Sequence, residues 1–133
     1  ANMLRITQEV EECVDCIYRL VKLNERRYKK DRQFTPEQQE AIREFAGSIS
    51  QFVTFADQSL LAKISSEDMA KAEAMKNMAA TMRKKFNKSA MKRMSNGDVK
   101  LEMLNIDINN HFDSVSNHAL HIVQTSMAMH EEA

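Results

Sequence analysis

Apolar residues recur at helical spacing along most of the chain and predict four long helices. In the first, residues 2–30, seven apolar side chains form one stripe. They are Ile6, Val10, Cys13, Val14, Ile17, Leu20 and Val21. On a wheel of about 100° per residue, Glu11 and Asp15 lie more than a quarter-turn from this stripe. This helix is therefore expected to bury one face and to present a carboxylate pair on another.

Three further helices begin at recognisable capping residues. Thr35 is followed by Pro36 and Gln38, a combination typical of a helix N-terminus with a capping box. Ser65, followed by acidic residues, predicts the start of the third helix. Asp98, after an Asn-Gly turn, predicts the start of the fourth, which runs to about residue 130.

Each of these three helices has an apolar stripe of its own. The stripes consist of Ile42, Phe45, Ala46, Ile49, Phe52, Val53, Ala56 and Leu60; of Met69, Ala72, Met75, Ala79, Met82 and Phe86; and of Leu101, Leu104, Ile108, Phe112, Val115, Ala119, Ile122 and Ser126. Gly47 interrupts the first of the three and is expected to permit close helix packing. Four helices of similar length with short connections predict an all-α fold, an up-down-up-down four-helix bundle.

Length and composition agree with one helical domain spanning residues 1–133. Two glycines and one proline leave little material for turns, and strand-forming residues are sparse. Nineteen basic and nineteen acidic side chains balance, so the net charge does not indicate a nucleic-acid partner. No apolar run approaches the ~20 residues that cross a bilayer. Because the chain is helical almost from its first residue, we expect it to be a fragment of a longer protein.

Carboxylate, amide and imidazole groups on the first and fourth helices form a candidate metal site. Glu11 and Asp15 lie one turn apart and could ligate one hard cation. Asp113 and Asn117 form a weaker pair on the fourth helix, with His118 beside them. The same groups also fit solvated helix faces, where such spacings are common. The wheel places the carboxylates and Asn117 outside the bundle core, and the chain has no Glu-x-x-His motif for a ferritin-like di-iron centre.

Basic residues concentrate where the first and third helices end. We take six of them as a candidate interaction site: Arg26, Arg27, Lys29, Lys30, Lys84 and Lys85. In an up-down bundle these two helix ends lie together. The residues fit two interpretations. They complement the negative ends of helix dipoles, or they form a basic pole for an anionic partner, a membrane surface or phosphate.

The acidic stretch of the first helix resembles a motif of the PhoU-like proteins. Leu4-Arg5 is followed by the sequence Glu-Val-Glu-Glu-Cys-Val-Asp over residues 9–15. Its Glu11 and Asp15 match the acidic pair of that family, and Val14 stands where the family usually has glycine. The similarity is greatest to the C-terminal cytoplasmic domain of bacterial sodium/phosphate cotransporters.

A second, weaker copy of the motif covers residues 113–122. Asp113 and the pair His118-Ala119 match it, whereas Ser116 replaces the glycine and Asn117 replaces the second acid. That family repeats a three-helix unit. The resemblance therefore implies that this chain holds the last helix of one unit and all of the next.

The resemblance implies a regulatory role in phosphate transport without chemical turnover. It places the domain in the cytoplasm, at the inner face of the membrane. Its partner would be the transporter part of the same chain or a transport complex, with a homo-oligomer as a further option. Some members of the family bind iron or zinc at the acidic motifs, so either metal is an alternative to a domain without a cofactor. Two other functions stay open: a metal-binding carboxylate/histidine bundle with an enzymatic role, and a signalling bundle unrelated to phosphate.

Overall fold

The computed structural model describes residues 34–132, together with Gln8, Glu12, Asp15 and Arg19. Residues 34–132 form three helices and no strand: α1 (Pro36–Ser59), α2 (Ser66–Met94) and α3 (Val99–Glu132). The all-α prediction is confirmed for this part of the chain. The four earlier residues are helical and exposed. The rest of the predicted first helix lies outside the described residues. Over 34–132, no helix combines the length and apolar composition that crossing a bilayer requires.

Hydrogen-bonded caps set the start of each helix, as predicted. At α1, Thr35 and Gln38 form a reciprocal capping box with N···O distances of 3.2 and 2.8 Å. At α2, Ser65 and Asp68 form a second one, with both distances 3.1 Å. The backbone hydrogen bond from Ser65 is the main cause that lowers the pKa of Asp68 below its ordinary value of 3.8. At α3, the side chain of Asp98 accepts a hydrogen bond from the third helical N–H.

The three helices run up, down and up, and their buried residues form two adjoining clusters. One cluster joins the first half of α1 to the second half of α2 and the first half of α3. Phe45 lies at its centre, with ring centroids 5.9 Å from Phe86 and 5.1 Å from Phe112. The other cluster joins the opposite halves and includes Phe52, Ala72 and Ile122. Successive helices are therefore antiparallel, and burial of these apolar side chains supplies the main stabilisation.

The core of α2 is smaller than its sequence predicts. Of the expected stripe, only Ala72 and Ala79 are fully buried. The three methionines and the phenylalanine of the stripe are partly buried and pack at the edges of the two clusters. Small side chains at the contact let helix backbones approach closely, which leaves the longer side chains at the rim.

Gly47 does not meet the described helices closely. Apart from its chain neighbours and the backbone of its own helix, a Cβ atom added at this position would meet no described residue within 4 Å. The predicted role of Gly47 in close packing therefore has no counterpart among them. We expect Gly47→Ala to raise the free energy of unfolding by about 0.5–1 kcal/mol, because alanine loses less backbone entropy in a helix. Urea unfolding followed by circular dichroism measures this change, and a loss of stability would contradict it.

Candidate functional site

Asp113, the predicted ligand of the second acidic motif, lies between α2 and α3 and faces two cations. Its Oδ1 accepts a hydrogen bond from Lys76 Nζ at 2.9 Å. Its Oδ2 lies 3.3 Å from Arg83 Nε, an ion pair without hydrogen-bond geometry. Lys76 and Arg83 are two helical turns apart, which places both on the same side of α2. Because two cations already neutralise this carboxylate, a metal ion would have to displace them.

The structure describes some, but not all, of the other predicted metal ligands. Asn117 and His118 are exposed on α3, and Asp15 is exposed as the wheel predicted. Glu11 lies outside the described residues. In the part of the chain that the structure describes, no three His, Cys, Asp or Glu side chains group closely enough to hold a metal ion. A metal site shared with Glu11 stays a prediction.

The basic residues of α2 divide into an inner and an outer set. On the inner side, Arg83 pairs with Asp113, and Arg93 pairs with Glu102. In the second half of α2, four lysines are exposed, within a wheel arc of about 100°. We call these four, Lys84, Lys85, Lys88 and Lys92, the lysine face. No carboxylate of the described residues pairs with them, and Lys85 lies 5.7 Å from the ring centroid of Phe86. Of the predicted interaction residues, Lys84 and Lys85 belong to this face; Arg26, Arg27, Lys29 and Lys30 lie outside the described residues.

A buried polar network holds the three helices together at the same end. Glu102 on α3 is 4% exposed. Its Oε1 accepts a hydrogen bond of 2.7 Å from Gln38 Nε2 on α1. Arg93 Nε on α2 lies 3.1 and 3.0 Å from the two carboxylate oxygens. This network was not predicted from the sequence, although Glu102, Asn105 and Asn109 recur at helical spacing beside the apolar stripe.

A groove of about 590 Å³ adjoins this network, between the start of α1, the second half of α2 and the first half of α3. Buried Asn105 and Asn109 line it, together with Lys85 and Arg93. Asn109 donates a hydrogen bond of 3.0 Å to Asn87, but its own Oδ1 has no hydrogen-bond partner among the described residues. Asn109 therefore carries a buried acceptor that none of the described residues satisfies.

The chain matches no family model, no curated protein and no solved structure. The class of this protein is therefore inferred from the structure of the described residues. These residues form three helices with an apolar core, a buried carboxylate network at one end and an outward-facing row of lysines on α2.

Proposed function

We propose that this chain is a non-catalytic PhoU-like interaction domain that accompanies phosphate transport. In this proposal it is the cytoplasmic domain of a sodium/phosphate cotransporter, and residues 2–30 complete a four-helix bundle. The lysine face is the observation that carries the proposal, because exposed charges that pair with no carboxylate of the described residues are available to an anionic partner. The resemblance of residues 4–21 and 113–122 to the acidic motifs supplies the link to phosphate.

The ion pairs of Asp113 support the proposal that this domain acts through contacts on its exposed surface. Lys76 and Arg83 hold its carboxylate against α2, so at this copy of the motif the acid links two helices. In this proposal the second acidic motif contributes to the stability of the domain. Exposed residues make the contacts with the transporter part or with a transport complex. A second copy of the chain is a further partner that this surface could accommodate.

Phosphate uptake in cells tests the proposed function. We compare cells in which the gene encoding this chain is intact, deleted, or carries Lys84→Glu with Lys85→Glu. Deletion and the double charge reversal are both expected to change the rate of uptake, because reversal repels an anionic partner. The matched control is Lys63→Glu with Lys71→Glu, two exposed lysines outside the lysine face. Unchanged uptake in the deletion strain would contradict the proposal and favour a signalling bundle unrelated to phosphate.

The alternative function, a metal-binding carboxylate/histidine bundle, has one observation in its favour. His118 and His121 are exposed on α3, about one turn apart, where imidazoles are accessible to a metal. Metal analysis of protein purified without an affinity tag separates the two functions. Stoichiometric iron or zinc that is lost in the variant Glu11→Gln with Asp15→Asn would favour the metal-binding bundle over the regulatory domain.

A further inference from the structure

The lysine face has the charge pattern of a surface that binds many phosphate groups at once. Six of the eleven residues 83–93 are basic, and no acidic residue lies between positions 74 and 97. Arg83 and Arg93 are neutralised by buried or half-buried carboxylates of α3. Four exposed positive charges remain on the outer side, in a row about 12 Å long from Lys84 to Lys92. We propose that this row docks onto an anionic phospholipid bilayer, an inference that rests on the membrane-associated role proposed above.

Exposed methionines border the row and add an apolar component. Met78 is 58% exposed and Met91 is 60% exposed. On the helical wheel they lie on opposite sides of the lysine face, each within about 20° of its edge. Flexible apolar side chains beside lysines suit the bilayer interface, where the chain stems contact acyl groups and the ammonium groups stay among headgroups.

The same residues fit a bilayer better than nucleic acid or an acidic peptide. Readout of bases uses arginine forks and aromatic stacking, and the outer face of α2 has neither. Acidic peptide motifs are typically recognised by clusters of arginine, whereas the lysine face contains no arginine and only Lys85 of its four lysines lines the groove. A straight row of point charges matches a plane of lipid phosphates, which needs no defined geometry at each contact.

Co-sedimentation of the 133-residue chain with vesicles tests this docking. We expect binding to vesicles of phosphatidylglycerol and phosphatidylcholine, loss of binding at high salt, and none to phosphatidylcholine alone. Lys84→Gln with Lys88→Gln should weaken the partition coefficient about 25-fold, since each lysine contributes about fivefold. Lys84→Arg with Lys88→Arg should retain binding, because the charge is kept.

Matched variants distinguish binding by the lysine face from a general effect of positive charge. Lys63→Gln with Lys71→Gln removes the same charge elsewhere and should change binding about twofold or less. Met91→Ser should weaken binding without altering its salt dependence. Equal binding by all variants, or tighter binding to duplex DNA or polyglutamate at the same salt concentration, would overturn the proposal. Circular dichroism of each variant confirms that the fold is intact. Vesicle binding is measured independently of phosphate uptake. An uptake defect without vesicle binding would therefore contradict the proposed membrane docking but not the proposed role in phosphate transport.

Discussion

Ile108→Asp is expected to destabilise the fold by about 4 kcal/mol or more, the largest effect of a single substitution that we predict. Ile108 is 7% exposed and belongs to the core cluster around Phe45 and Phe112. A carboxylate there would lose its hydration and gain no partner, and the packing of the isoleucine would be lost as well. A large fall in the thermal midpoint, or loss of cooperative unfolding, is the expected result by circular dichroism.

Met103→Asp is the matched control for this experiment. Met103 lies on the same helix and is 54% exposed, so an aspartate at that position stays hydrated. The free energy of unfolding of the Met103→Asp variant should stay within about 0.5 kcal/mol of the value for the unmodified chain. A thermal midpoint for Ile108→Asp close to that of Met103→Asp would mean that the buried side of α3 has been assigned to the wrong residues.

Glu102→Leu is expected to lower the free energy of unfolding by about 2–3 kcal/mol. Gln38, 5% exposed, would lose its acceptor and remain buried without one. Arg93 would lose its ion pair, but its side chain is 37% exposed and can regain water, which reduces the cost. Urea unfolding measures the change, with Asp107→Leu as the control, because Asp107 is an exposed acid of the same helix.

Removing the whole network should cost less than removing its centre alone. In the triple variant Glu102→Leu, Arg93→Met and Gln38→Leu, no polar group of the network remains buried without a partner. Gln38→Leu also removes the acceptor of the Thr35 N–H in the capping box, but Thr35 is exposed and water can replace that acceptor. Its stability should therefore exceed that of Glu102→Leu, in line with buried ion pairs replaced by apolar residues. Additive losses across the three substitutions would show that the residues act independently, contrary to the hydrogen bonds that join them.

The starts of the helices and the principal core residues could be predicted from the sequence because their causes are local. Thr35, Ser65 and Asp98 were predicted as caps, and each accepts the expected hydrogen bond. The stripes of α1 and α3 were predicted from spacing alone. They are buried except for Leu60, Leu101 and Leu104, which are partly buried. A helical period and a hydroxyl or carboxylate cap act within a few residues, so they need no knowledge of neighbouring helices.

The partners of the polar residues could not be predicted from the sequence in the same way. Asp113 was predicted as an outward-facing ligand, but its contacts with Lys76 and Arg83 depend on how α2 is aligned along α3. Glu102 is buried because Gln38 and Arg93 reach it from two other helices, across sequence separations of 64 and 9 residues. The helical spacing of Glu102, Asn105 and Asn109 places this glutamate beside the apolar stripe, but it does not identify the residues of other helices that reach it.

By itself, the sequence determined the all-α class, the starts of α1, α2 and α3 and the side of α1 and α3 that faces the core. Only the tertiary structure decided which charges are neutralised and which remain outside. Arg83 and Lys84 are adjacent in sequence, yet one pairs with Asp113 while the other is exposed. The reason is physical: a charge is neutralised by a carboxylate within a few ångströms, and helix packing sets that distance.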